Sequence, residues 1–383
     1  MTDSARQIAA LHAGRIEAAR AARGAGRRVV GYIGLDVPEE LILAAGLVPL
    51  RLEADVLAPA PAAARFGGGG HPVLRSLVSR LLGGPYDFID HLVVGSMPRN
   101  LTAIAVLIHE LHASDPAFAR LQVHQLDVLH SDTDSARRFT LQQVESLAAR
   151  LADWSGRAIG TAELQAAIAL CNETRRLLGE YQRLRADGAH LDGVSALRLH
   201  GCATGAGREH FNAQLRDWLR ADALRGASDA IAVPRVLYSG TATDTTDFYA
   251  AIESQGLCIV DDDQDFGARA VGPLVDERAP PLPALAAALA GRAPASAGWC
   301  HAARSAYLRQ RLAAGRPDGV LFYGAAYDHP PAWEYPALRA LAESMGCACA
   351  LLDERSYTRF DSVAPAARAF ADTLRARQRG HAA

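Results

Sequence analysis

The segment GVLFYGAAYDHPPAWEYP, residues 319 to 336, sets Asp328 and His329 in a small-residue loop between an apolar run and two prolines. The run from Gly319 to Tyr323 reads as a buried strand, and the prolines open a helix. Loops at the carboxyl ends of strands are where α/β proteins bind ligands. A neighbouring carboxylate and imidazole can serve as general acid and base. They can also donate oxygen and nitrogen to a hard or borderline metal, and an Asp-His pair can equally be turn chemistry. His71, in GGGGHPVLRS, follows four glycines and precedes Pro72 at a predicted loop-to-helix junction. His71, Asp328 and His329 are therefore the candidate catalytic residues, with His71 and Asp328 the candidate ligands if a metal or cluster is present.

Three further loops carry candidate substrate contacts. In GLDVPEELI, Gly34 would admit a ligand close to the backbone. Asp36, Glu39 and Glu40 are predicted to open a helix, where the helix dipole alone would favour carboxylates. Ser96 and Arg99 stand in the corresponding loop of VVGSMPRN. Ser239 and Thr241 belong to a hydroxyl-rich loop before a helix predicted at Asp247. Backbone N–H groups there could hold an anion, or Thr246 or Asp247 could simply cap the helix. Several familiar chemistries are excluded. No phosphate loop is present, because Lys-Ser/Thr is missing after the glycines. His109 and His112 in LIHELH do not form HExxH and read as a solvated helix face. GxSxG is absent as well.

The elements that must position these loops repeat along the chain. Residues 28–55 and 235–263 each read as a strand, a polar loop, an amphipathic helix stopped by glycine (Gly46, Gly256) and a second strand. A further strand follows in each half, at 86–100 and 315–330. Such repetition predicts parallel sheets with right-handed crossovers. The fold class is thus α/β, with two Rossmann-like parallel-sheet domains related by an internal repeat and joined by a helical segment. The expected boundaries are an N-terminal helix over 1–27, a first α/β domain over 28–134, a helical bridge over 135–227 with Thr161 as an N-cap, and a second α/β domain over 228–383. Facing halves would bring the loops 33–38, 95–100, 239–246 and 324–330 to one cleft. The stretch 54–70 is a flexible loop by composition.

Composition narrows the partners. The 383 residues carry a formal net charge of −2, with 50% hydrophobic and 21% charged residues. This gives no footprint for nucleic acid or an anionic membrane. No stretch approaches a membrane span, no signal peptide is recognisable, and a cytoplasmic location is expected. None of the six cysteines forms CxxC, and Cys347 and Cys349 read as small buried hydrophobes.

At this point the residues resemble a known family. GYIGLDVPEELILAAGLVPLRL is similar to the opening signature of the 2-hydroxyacyl-CoA dehydratase and benzoyl-CoA reductase family. The likeness continues through HPVLRS, LQAAIALCNETRRLLGEYQRLR, RVLYSG, ESQGLCIVDDD and PDGVLF, in order and over nearly the whole chain. The length resembles that of the smaller subunit. The resemblance implies two α/β domains per subunit and an iron–sulfur cluster held between them by three cysteines. It further implies an ATP-hydrolysing activator that supplies low-potential electrons, and an acyl-CoA substrate.

The chain departs from the family at the cluster. Where the family has CPxxRS, this sequence has His71-Pro72-Val73-Leu74-Arg75-Ser76. Where it has Cys-Asp after a strand, Ser96, Met97, Pro98 and Arg99 stand here. Where it has Phe-Cys-Asp-Pro, the chain reads Tyr327-Asp328-His329-Pro330. Clusters are held mainly by thiolates, so a conventional [4Fe-4S] cluster is not expected and the cofactor stays unnamed. Three functions remain open. The favoured one is a clusterless subunit that positions an acyl-CoA and pairs with a homologous cluster-bearing subunit, in a lyase-type complex served by an ATP-dependent activator. The second is a stand-alone non-redox enzyme acting on an acyl-CoA-like substrate through His71, Asp328 and His329. The third is a radical dehydratase with unconventional [4Fe-4S] ligation.

Overall fold

A computed structural model describes residues 3–56, 72–95, 99–114, 120–188, 192–205, 207–220, 233–295, 301–326, 328–352, 360 and 363–382, with only the backbone at 99–101, 114, 381 and 382. The eight strands are β1 (Val29–Ile33), β2 (Val48–Arg51), β3 (His91–Gly95), β4 (Gln122–Leu126), β5 (Arg235–Gly240), β6 (Cys258–Asp263), β7 (Gly319–Tyr323) and β8 (Ala348–Leu352). They form two parallel sheets ordered β2-β1-β3-β4 and β6-β5-β7-β8. The α/β class with two parallel-sheet domains is therefore the observed architecture.

Why β1 lies at the centre of its sheet is visible in its side chains. Val30 and Tyr32 face one helical layer, packing with Leu41, Leu147, Leu151 and Leu285. Val29 and Ile33 face the other, against Leu77, Val78, Ile104 and Ile108. A strand covered on both faces needs no polar alternation, which is why VVGYI is apolar throughout. β5 and β7 repeat this arrangement. Tyr238 and Leu321 pack on Phe248, Ile252 and Phe370, while Leu237 and Phe322 pack on Leu308 and Leu338. Gly46 and Gly256 adopt φ of +74° and +80°, the left-handed stops that glycine supplies without strain.

Long helices connect the sheets. Asp134–Ser155 is capped by Thr133, whose hydroxyl accepts from the Ala136 N–H, and ends at left-handed Gly156. The helix Thr161–Ala186 starts one residue earlier than a Thr161 cap would allow, with Gly160 at the cap. Gly193–Cys202 and Arg208–Arg220 complete the segment. The N-terminal stretch is two helices, Asp3–Ala13 and Arg15–Gly24, interrupted at Gly14, rather than one. The first of them packs through Ala5 and Ile8 on Leu177, Leu199 and Phe211 of the connecting helices. Helix Pro281–Ala290 crosses back to the first sheet, burying Leu285 and Leu289 in its core. Most of the glycine- and alanine-rich stretch 54–70 lies outside the described residues. Among the described residues no helix is long and apolar enough to cross a membrane.

Candidate functional site

β1 runs into Gly34, whose φ of +101° few other residues would tolerate. The chain bends at Gly34 and Leu35, runs irregularly to Pro38, and the helix begins only at Glu39. Asp36 is therefore not a first-turn carboxylate. It is buried in the loop, where its Oδ2 lies 3.1 Å from His130 Nε2. Burial would lower the His130 pKa, but the hydrogen bond and charge of Asp36 outweigh it and the net shift is upward. Asp36 Oδ1 is buried without a partner among the described residues, while a backbone hydrogen bond to Arg292 also helps to raise His130.

Glu39 and Glu40 do lie in the first turn, yet neither faces solvent as a dipole-stabilised surface carboxylate would. Glu40 accepts from Arg175 at 2.6 Å, and Glu39 is held by Tyr32 and Arg208. Arg175 comes from the helix Thr161–Ala186, so the connecting helices form a wall of the site.

The second half contributes a separate group. Gly240 ends β5 with φ +144°, and a Cβ there would sit 1.9 Å from the Tyr323 carbonyl oxygen. That close approach brings β5 and β7 together just where their loops diverge. The Thr241 hydroxyl accepts from the Ala325 N–H at 2.9 Å and is hydrogen-bonded to the Asp328 carboxyl. Asp328, 8% exposed, precedes the helix His329–Ser344. Its burial pushes the carboxyl up to about 6, against the lowering hydrogen bond from Thr241.

His329, by contrast, is exposed on the first helical turn, so the adjacent pair divides between interior and surface. Ser239 is still part of β5; its buried hydroxyl donates to Asp263 at 3.1 Å, inside a network with Arg269. Thr245 is the cap of the following helix, accepting from Asp247, in place of the Thr246 or Asp247 expected. His71 and Ser96 lie outside the described residues. Arg99 opens the helix Arg99–Ser114, and its side chain lies outside them too.

Residues that sequence reading passed over join the halves. Arg51, at the end of β2, donates to the Asp265 carbonyl at 2.9 Å and stacks over Phe266 at 4.3 Å. Arg292 donates to the carbonyls of Leu35, Arg269 and Ala270. Asp244 takes a backbone hydrogen bond from Ala54, and its burial pushes its carboxyl up to about 7. Between these groups lies a cavity of about 60 Å³, lined among others by Gly34, Glu39, Glu40, Arg51, Arg208 and Arg292. Burial lowers both the Arg51 and Arg292 guanidiniums, the latter to about 10. The signal for Arg51 lay in PLRL at a strand end; His130 had none beyond a polar HSDTDS loop.

The donors for an iron–sulfur cluster are of the wrong kind among the described residues. Cys171 and Cys202 lie within helices, Cys258 and Cys349 within strands, and Cys347 just before β8. These five thiols are dispersed over separate elements, and among the described residues no three His, Cys, Asp or Glu side chains gather where they could hold a metal ion. Asp328 offers a hydrogen-bonded carboxyl. Cys300 falls outside the described residues.

A family model described as "2-hydroxyglutaryl-CoA dehydratase, D-component" matches residues 35–374. The chain is 22% identical over 356 residues to the (R)-phenyllactyl-CoA dehydratase beta subunit of Clostridium sporogenes, covering 91% of this chain and 92% of that one. It is 25% identical over 324 residues to one of the benzoyl-CoA reductase subunits of Thauera aromatica, covering 82% and 81% respectively.

Proposed function

Because the chain belongs to the 2-hydroxyglutaryl-CoA dehydratase D-component family, we propose that it is a subunit of a 2-hydroxyacyl-CoA dehydratase or benzoyl-CoA reductase-type complex that lacks the usual three-cysteine site. In this reading it pairs with a homologous cluster-bearing subunit and helps position an acyl-CoA at the loops around Gly34, Asp36 and Thr241. An ATP-dependent activator would then serve the partner subunit. The observation that carries the reading is Asp328. It stands where the family pattern has cysteine, and it is buried, carboxyl-bearing and tied to Thr241. Hard oxygen at that position suits hydrogen bonding rather than iron–sulfur ligation.

The test is anaerobic purification of the chain alone and with a homologous cluster-bearing subunit. The isolated chain is expected to carry no acid-labile sulfide and no broad visible absorbance, and to co-elute with the partner at one-to-one ratio. Iron and sulfide in equal stoichiometric amounts on the isolated chain would overturn the reading and favour unconventional ligation.

One observation also favours a stand-alone non-redox enzyme. A buried carboxyl raised to about 6 is poised for proton transfer near neutral pH. That reading requires acyl-CoA turnover by the chain alone, abolished in Asp328→Asn; turnover absent without a partner would retire it.

A further inference from the structure

We propose that the arginine-lined cavity between the two sheets binds a small oxyanion, a carboxylate or phosphate, carried by a metabolite whose remaining atoms occupy the adjoining pocket. This goes beyond the subunit reading, since it assigns a ligand site to this chain alone and needs neither partner nor cluster.

The inner cavity, about 60 Å³, has the volume of roughly two water molecules, enough for one carboxylate group. Arg51 and Arg208 on its wall are only 5% and 6% exposed, and the Nε of each is buried without a hydrogen-bond partner. Arg292 Nε is likewise orphaned, as is Nδ1 of His200, which is 2% exposed. Leaving the guanidinium donors unmade is costly, and an anion is the ligand that satisfies several at once.

The carboxylates on the same wall are already engaged. Glu40 pairs with Arg175, and Glu39 with Arg208 and Tyr32. Arg51 and Arg292, in contrast, make their hydrogen bonds to backbone carbonyls, which leave the guanidinium charge in place. Asp36, Glu53, Asp244 and Asp265 act on these two arginines from outside the lining, while from the wall itself Glu39 acts on Arg51 and Glu40 on Arg292 through space, without a direct ion pair.

A second pocket of about 250 Å³ shares His200, Gly272, Pro273 and Arg292 with the first and adds Tyr307 and Arg311. Gly179 forms part of its wall. Glycine inside a helix costs about 1 kcal/mol relative to alanine. Gly179 is exposed and a Cβ there would meet nothing within 4 Å, so it stands at the open mouth of the pocket rather than relieving a clash. Both volumes fall below the ~300–1,000 Å³ of pockets for drug-sized ligands, so the ligand is a small acid or phosphate compound rather than a whole acyl-CoA.

The test is isothermal titration of the full chain with succinate, acetate and inorganic phosphate at constant ionic strength, with chloride as the control. Succinate is expected to bind at millimolar concentrations or below. Arg51→Gln should weaken it by about tenfold or more, the scale of a lost charge-assisted bond. Gly179→Leu, which sets a bulky side chain at the mouth of the outer pocket and leaves every arginine in place, should weaken it likewise even if Arg51→Gln does not fold. An inorganic phosphate isotherm lost in Arg51→Gln would extend the class to phosphate compounds; its absence beside bound succinate would restrict the site to carboxylic acids. Binding of none of the three anions would overturn the proposal. So would succinate binding left within about twofold by Gly179→Leu, or unchanged by Arg51→Gln, since either would separate the ligand from the donors that define the site.

Discussion

Substituting Asp328 with asparagine should stabilise the protein at neutral pH. The Asp328 carboxyl, 8% exposed, rises from the ordinary 3.8 to about 6, chiefly through burial. The native state therefore holds its proton more tightly than the unfolded chain does. Between pH 3.8 and about 6 the wild type loses stability as pH rises, and above that window the loss is complete. At ~1.4 kcal/mol per pH unit, the gap corresponds to about 3 kcal/mol, or roughly a hundredfold in the folding equilibrium. Asparagine has no charge to desolvate, and its amide oxygen can still accept from the Thr241 hydroxyl. Urea unfolding followed by circular dichroism at about pH 4 and about pH 7.5 measures the effect, with the variant gaining only at the higher pH. Equal or lower stability of Asp328→Asn at both pH values would refute the reasoning. It would mean that the attraction of Arg304 outweighs burial and that the carboxylate is comfortable where it lies.

The Asp36–His130 dyad makes the opposite prediction. Because His130 is raised in the fold, its contribution to stability is fully present below the ordinary histidine value of 6.5 and is lost as pH rises through the folded value. Asp36→Asn should lower the His130 midpoint in an imidazole NMR titration, and an unmoved midpoint would break the proposed pairing. Arg175→Met should cost about 3–5 kcal/mol in chemical denaturation, because it strands the buried Glu40 carboxylate. Adding Glu40→Leu should recover most of it; a double variant no better than the single one would place the loss in packing.

What the sequence made legible follows from locality. The apolar runs that became β1, β5 and β7, and the glycine stops at Gly46 and Gly256, are each set by a few neighbouring residues. The interior of the site is set by partners far apart in the chain. Arg51 meets the Asp265 carbonyl 214 residues on, Arg292 reaches Leu35 across 257, and Arg175 pairs with Glu40 across 135. Read in a local window, these charges look like solvated surface side chains. Ser239 shows the same limit on a smaller scale. It reads as the first hydroxyl of a polar loop, but β5 continues through Gly240 and the strand's alternation turns Ser239 inward to Asp263. The helix Pro281–Ala290 belongs by sequence to the second half and by packing to the first, because its Leu285 and Leu289 complete a helical layer that β1 needs.

The docking of the first helix has a consequence for how the chain is made. Ile8 and Gln7 reach their partners Cys202 and Trp218 across 194 and 211 residues. On a ribosome adding ~5–20 residues per second, the apolar face bearing Ala5 and Ile8 waits on the order of 10–40 s for its seat to be synthesised. All four strands of the first sheet are made in that interval, but the seat of the leading helix is not. A nascent-chain holdase, or an N-terminal fusion partner, would meet that face long before residues 202 and 218 do.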